Sequence, residues 1–348
     1  MDIKKNLLWI NIIKVFSAFL IVVQHSISAS YTMLPVESIE WKILNFVFMF
    51  SRMGVPIFFM CSGIGMLARE RSIKEIWCRN IFSLIKIYII WMALFGIRDV
   101  ILIWAQSDNA SVRVMVNAFL KCILFGKYHT WFIFTLLGLY AITPLLYLIV
   151  QKKIYLSYFL ILSIIFTIIL PILPVIPGEG VNRLLTVIDN INMHFVVGYS
   201  LYFLIGYYIT AYMSHNWEKY AGLVFALSAS LAFVLSLLMS ASTGLANQEA
   251  FDLFSPCGFL MNTSLMILFK KYIGDERKSK FLNKTAMLQK YGVAIYLMHV
   301  IFVEMWTKNP GMIHLATAVC IWILSLIISI IAYKIPVINR IMFIRKDA

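Results

Sequence analysis

The chain has 348 residues, of which 61% are hydrophobic and only 13% charged, with a mean hydropathy of +0.86. A soluble domain averages roughly 45–50% apolar and about 25% charged, so this chain cannot cover itself with polar groups, and a soluble enzyme is excluded. The net charge of +14, from 30 Lys+Arg against 16 Asp+Glu, would suggest nucleic acid in a soluble protein; in a membrane protein it reports cytoplasmic loops.

The apolar residues run through the whole chain, which excludes a surface anchor. At about 20 residues per crossing, the expected fold is an all-α polytopic membrane protein with about ten transmembrane helices, forming a single domain over 1–348. Expected spans are 7–29, 43–67, 81–104, 131–150, 154–173, 194–212, 221–241, 254–272, 291–307 and 313–333. Lys4 and Lys5 precede the first run as in a signal peptide, and Ser28-Ala29-Ser30 imitates a cleavage site. The run is long for a signal, and further spans follow, so it is read as an uncleaved helix. The stretch 117–126 is apolar but too short to cross, and is expected at the interface or re-entrant.

Ten spans put both termini on one side. The termini and loops of that side carry 20 Lys/Arg, the opposite loops carry six, and four (Lys14, Arg52, Lys86, Arg98) lie inside spans. This bias predicts both termini in the cytoplasm and accounts for the basic balance without nucleic acid. The main basic loop, 270–290, reads as an anchor against anionic membrane lipid, or as a docking surface for an anionic substrate. Five Cys form no CxxC pair, so neither a disulfide framework nor a metal site is expected, and they read as small buried hydrophobes.

An ionisable side chain at mid-bilayer costs about 2.5–3.5 kcal/mol on insertion scales, so such groups mark a protein interior or a wet cavity. Lys14 and His25 are eleven residues apart, which at about 100° per residue returns to within roughly 20° of the same helical face. Arg52 falls near the middle of the second span, just before Gly54 and Pro56, where proline removes a helix hydrogen bond. Ser62-Gly63 and Gly65 add a small face for close helix packing. Arg79 stands at the cytoplasmic mouth of the third span, where it either meets phosphate or anchors topology. Arg98 and Asp99 are expected to pair. His129 and Trp131 sit at the outer interface, where Trp is also a common belt residue. His299 lies near mid-membrane, on one face with Tyr296, and Glu304 follows on the outer side. His215 reads as a solvated loop residue.

Three stretches carry a family resemblance. These are the Lys14…His25 pair; Arg52-Met53-Gly54-Val55-Pro56-Ile57-Phe58-Phe59-Met60-Cys61-Ser62-Gly63; and His129-Thr130-Trp131-Phe132 with Leu139-Tyr140 and Thr143-Pro144. Tyr296-Leu297-Met298-His299 is a weaker fourth. Their order and spacing resemble the acyltransferase-3 family of integral membrane acyltransferases. Within it, the chain is most similar to stand-alone O-acetyltransferases of bacterial surface polysaccharides, such as the enterobacterial-common-antigen type. Many members have Arg rather than Lys at the position of Lys14, and many carry the second Arg of an R-x-x-R pair where Phe82 stands here. Many members also have an appended hydrolase-like domain; here the sequence runs to Ala348. The membrane domain would then make the transfer itself or hand the acyl group to a separate protein.

The resemblance implies transfer of acetyl from cytoplasmic acetyl-CoA, without a metal, to a hydroxyl of an extracytoplasmic or lipid-linked glycan, in a bacterial cytoplasmic (inner) membrane. His25 is then the expected base or acyl carrier, and Arg52 the group that stabilises the oxyanion or the donor. Lys14 and Arg79 would bind the donor, while His129, Trp131 and His299 would lie on the acceptor side. The competing class is a proton-coupled transporter using Lys14, His25 and Arg52 as a relay. Against it, the halves show no corresponding interrupted helices.

Overall fold

The computed structural model describes residues 8–106, 111–175, 179–274, 279–306 and 309–342. Lys4, Lys5, Arg277, Lys278, Lys308, Arg345 and Lys346, seven of the charges used for orientation, lie outside them. Among the described residues there are helices and no strand. In lipid this is expected, because a helix satisfies its own backbone donors and acceptors.

The helices that build the bundle are α1 (Leu8–Met33), α2 (Ile39–Ser51), α3 (Gly54–Leu67), α4 (Phe82–Gln106), α5 (Val112–Phe125), α6 (Trp131–Ala141), α7 (Thr143–Val150), α8 (Lys153–Ile164), α9 (Tyr199–Ala211), α10 (Ala221–Thr243), α11 (Pro256–Ile273), α12 (Gly292–Trp306) and α13 (His314–Lys334). Among the described residues eight helical runs are long and apolar enough to cross a membrane, or nine if the bent pair, α6 with α7, is one span. The segment expected at 194–212 forms only the 13-residue α9. At 1.5 Å per residue α9 reaches about 20 Å, against a hydrocarbon core of about 30 Å. Its last residues sit at the end of α7, where the Tyr212 hydroxyl donates to the Val150 carbonyl (2.7 Å). The missing length is therefore on the opposite side, named here the far side; the side holding the start of α1 is the near side.

Prolines explain the irregular spans. Pro56 cannot donate to the carbonyl of Arg52, and the second span breaks there, with α2 ending at Ser51 and α3 starting at Gly54. Pro144 cannot donate to Tyr140, and α6 and α7 meet at 62°. Pro171 frees the Thr167 region, where α8 loosens into a π turn (Ile165–Ile169) and then a 3₁₀ turn (Leu170–Val175). The apolar stretch near 117–126 lies within α5, whose one buried side chain is Cys122. It lies against α4 where Gly96 leaves room for the Phe119 ring.

Small residues decide which helix faces turn inward. On α10, Ser228, Ala232, Ser236 and Ser240 recur every four residues and are buried, while Leu223, Leu227, Leu231 and Leu238 are exposed. That division matches a helix with a small packing face and a lipid face. Cys61, Cys122 and Cys257 are buried as expected, but Cys78 and Cys320 are exposed. Cys320 shares α13 with exposed Ile323, Ile327 and Ile331, a surface that suits lipid.

The near side carries a buried ion pair. Glu218 meets Lys270 at 3.1 Å and His215 at 2.8 Å. Burial pulls its carboxyl upward, yet the hydrogen bonds from His215 and Lys270 outweigh burial and hold it below the ordinary carboxylate range. A carboxyl depressed in the folded state stabilises above its unfolded value and loses that contribution as pH falls through the folded one. The thermal midpoint in detergent is therefore expected to be higher for the native protein than for Glu218→Gln at pH 7. The gap should close as pH falls below about 4; a gap that ignored pH would contradict the ion pair's role.

Candidate active site

The site is assembled where α1, α3, α12 and the turn before α6 meet. Gly54 sets the depth of Arg52. Its backbone lies so close to α1 that an added Cβ would stand 2.7 Å from Ile21 and 2.9 Å from the Ser17 carbonyl. The Ser17 hydroxyl donates to the Gly54 carbonyl, locking the approach. Arg52, two residues earlier on a chain running the opposite way, is thereby held within electrostatic reach of His25.

The turn that carries His129 is equally determined. Gly126 ends α5 at φ 71°, a left-handed conformation that favours glycine, and its N–H bonds Cys122. Thr130 closes the turn by donating its N–H to Lys127 (2.9 Å) and its hydroxyl to the same carbonyl (2.8 Å). The Tyr296 hydroxyl, from α12, then donates to the carbonyl of His129.

Three histidines from distant parts of the chain come together. The rings of His25 and His299 are 5.3 Å apart between centroids, and those of His129 and His299 are 5.9 Å apart. Tyr128 packs on His25 at 5.3 Å, and Phe95 on His129 at 5.8 Å. His129 and His299 are 1% and 0% exposed, whereas His25 keeps accessible surface. Nδ1 of His299 donates to the Ile295 carbonyl at 3.1 Å, since a carbonyl can only accept, and Nε2 is left with the lone pair. That Nε2 and both ring nitrogens of His129 are buried with no protein partner among the described residues. Buried polar atoms are normally paired, so this cluster is where an exception concentrates. Burial, with His299 and His25 alongside, pushes the His129 imidazole well below the ordinary histidine range. A neutral imidazole with a free lone pair can take a proton from a hydroxyl.

Below the cluster lies a cavity of about 250 Å³. Lys14, Lys290 and Gln289 stand at its near-side lining; Phe58, Phe132 and Tyr296 line it as well. Tyr296 thus touches the cavity on one side and the His129 backbone on the other. Arg71 lies within electrostatic reach of Tyr140, another wall residue. Arg79 is elsewhere: it is exposed on the π turn Ile76–Ile81 and fronts a separate surface groove with Lys74, Glu75 and Cys78. The basic group that the structure adds beside Lys14 is Lys290. Its place in a basic run gave only a weak signal in the sequence.

Above the cluster the expected Arg98–Asp99 pair (2.8 Å) is part of a larger network. Arg98 also meets Glu304 at 2.5 Å, and Lys127 meets Asp99 at 2.6 Å. Both cations lie over Phe95, at 5.2 and 5.9 Å from its centroid. Arg52 has a partner no motif indicated: Asp252, at 2.8 Å. Trp131 is 39% exposed, with its ring 5.3 Å from Tyr199. Among the described residues, no group of three or more His, Cys, Asp or Glu is arranged to hold a metal ion.

A family model described as an acyltransferase domain matches residues 7–334. The chain belongs to the acyltransferase-3 family. Comparison with curated proteins and with solved structures returns no match. Nearly the whole membrane domain therefore corresponds to the acyltransferase unit, and the histidine cluster, the cavity under it and the charges around both lie inside the matched region. The activity that follows is that of a multi-pass membrane acyltransferase.

Proposed function

We propose that this acyltransferase moves an acetyl group from cytoplasmic acetyl-CoA to a hydroxyl of an extracytoplasmic or lipid-linked glycan, in the inner membrane of a bacterium. One observation carries the reading. The three-histidine cluster stands between a cavity with Lys14 and Lys290 in its lining and a far side bearing Trp131.

In this reading the near side is cytoplasmic, as the bias of basic residues indicates. Lys14 and Lys290 receive the anionic donor, and its pantetheine arm runs up the apolar walls toward Tyr296. His25, the accessible member of the cluster, takes the proton of the acceptor hydroxyl as its oxygen attacks the thioester carbonyl. Charge builds on the carbonyl oxygen of the tetrahedral intermediate, and the guanidinium of Arg52 faces that charge. Collapse breaks the carbon–sulfur bond; the CoA sulfur leaves and recovers the proton from His25. His299, fixed by Ile295, and Tyr128 hold the His25 ring in place, and His129, fixed by Tyr296, packs behind both. Arg79, on its separate groove, would meet the donor only at the membrane surface.

The test uses purified protein in proteoliposomes with acetyl-labelled acetyl-CoA supplied at the near face. Label is expected in glycan presented at the far face. Label that forms on the protein before glycan is added and passes to the glycan afterwards would overturn direct transfer and point to an acyl-enzyme; no label in either would overturn the donor assignment.

A further inference from the structure

The segment between α10 and α11 is a far-side loop by sequence, yet it folds back into the bundle. The Ser240 hydroxyl accepts the Asn247 N–H at 2.9 Å. One turn deeper, the Ser236 hydroxyl donates to the Asn247 carbonyl at 2.8 Å. The Tyr202 hydroxyl of α9 donates to the Leu253 carbonyl. Gly258 lets the backbone press inward, since an added Cβ would stand 2.0 Å from the Asp252 carbonyl oxygen. Four separate contacts thus carry one carboxylate, Asp252, down to Arg52.

That carboxylate is oriented without being sealed. One oxygen meets Arg52 at 2.8 Å, and the other accepts the Phe254 N–H at 3.1 Å. Even so, its side chain stays 41% exposed. The exposed carboxylate therefore keeps acceptor capacity for a hydroxyl arriving from outside the pair. Beside it lies an aromatic wall, with Trp131 5.3 Å from Tyr199 and Tyr199 5.0 Å from Phe254. The short α9 begins at Tyr199, so the wall lies at the end where α9 stops short of the far surface.

We propose that Asp252 and Arg52, with Trp131 and Tyr199, form the acceptor subsite, and that the subsite takes a saccharide ring. A pyranose has apolar C–H faces that suit an aromatic wall. It also has equatorial hydroxyls that donate to a carboxylate and accept from a guanidinium in charge-assisted bonds. A carboxylate that accepts a ligand hydroxyl favours acceptors that present one at that position. Asp252 is therefore a specificity residue, and its reach to Arg52 couples sugar binding to the group that faces the reacting carbonyl. The inference rests on the glycan-acceptor reading above.

The probe is envelope polysaccharide from cells that make the protein, deacetylated with mild alkali and dosed by hexose content. Initial rates of label transfer give KM for this glycan and for acetyl-CoA separately. Asp252→Asn is expected to raise the glycan KM at least tenfold and leave the acetyl-CoA KM within twofold. Trp131→Leu, whose side chain is outside the ion pair, is expected to raise the glycan KM at least fivefold with an unchanged thermal midpoint. It keeps the test informative if Asp252→Asn loses its fold. A wild-type glycan KM in Trp131→Leu, or equal changes in both KM values in Asp252→Asn, overturns the subsite while leaving the transferase reading intact. Failure of the native protein to label the glycan at all overturns the glycan reading and the subsite with it.

Discussion

His25→Ala is expected to abolish acyl transfer while the protein still inserts and purifies as a folded species. General-base catalysis contributes typically about 10²–10⁴-fold, so the residual rate should fall by at least that factor. The loss should appear in kcat, with the acetyl-CoA KM little changed, because the cavity lined by Lys14 and Lys290 does not include His25. Folding should survive, because the His25 ring touches Tyr128 and His299 through ring contacts alone, and both neighbours keep other partners. His299 retains Ile295, and Tyr128 retains His129. Rates of label transfer in proteoliposomes, set against gel-filtration profiles, give the answer. A His25→Ala protein that acetylates at near-native rate would remove the base from the mechanism.

Gly63→Ala should be the most damaging Gly→Ala change among the described residues. A Cβ at Gly63 would stand 1.8 Å from the Phe203 carbonyl oxygen and 2.6 Å from its carbon. Both are backbone atoms of α9, so no side chain can swing away. Gly206 makes the reciprocal approach, with its Cβ position 2.5 Å from the Met60 carbonyl oxygen. Small residues at such crossings let helix backbones touch where lipid offers no hydrophobic drive. Overpacking a tight core costs typically 1–3 kcal/mol, occasionally more, and here α3 and α9 must separate. A large drop in thermal midpoint, or loss of the folded fraction, is expected in detergent. Activity should fall too, because α3 follows Arg52 and α9 begins at Tyr199. Gly65→Ala, on the same helix with nothing within 4 Å of its Cβ position, should be neutral or slightly stabilising. Equal behaviour of the two variants would contradict the α3–α9 contact.

Much of the candidate site was legible because its residues are costly where they stand. Lys14, His25, Arg52 and His299 interrupt apolar runs, and an insertion cost of a few kcal/mol marks each of them. The motif before Gly63 was legible for a second reason: Gly54 and Pro56 announce a backbone that leaves the helix. Asp252 was not legible. It lies in a stretch read as a far-side loop, where an acidic residue costs nothing and so carries no signal. Only the contacts of Ser236, Ser240, Tyr202 and Gly258 reveal that the stretch returns to the bundle. Lys290 was hidden in the opposite way, as one basic residue of a basic run. Arg79 looked equivalent to Lys14 by side and by charge, and the structure places it on another surface.

Composition, the run length of apolar segments and the placement of charges determined that this protein is helical, lies in a membrane and crosses it repeatedly. Those properties follow from local hydropathy and from backbone hydrogen bonding within each segment, which need no knowledge of neighbours. Tertiary structure alone decided that the 194–212 segment is a short buried helix. It also decided that histidines 25, 129 and 299 share one cluster, and that Asp252 answers Arg52. These are contacts between residues tens to hundreds apart in the chain. Close approach at Gly54, Gly63, Gly206 and Gly258 sets them, and no local pattern in the sequence encodes which backbone each glycine will meet.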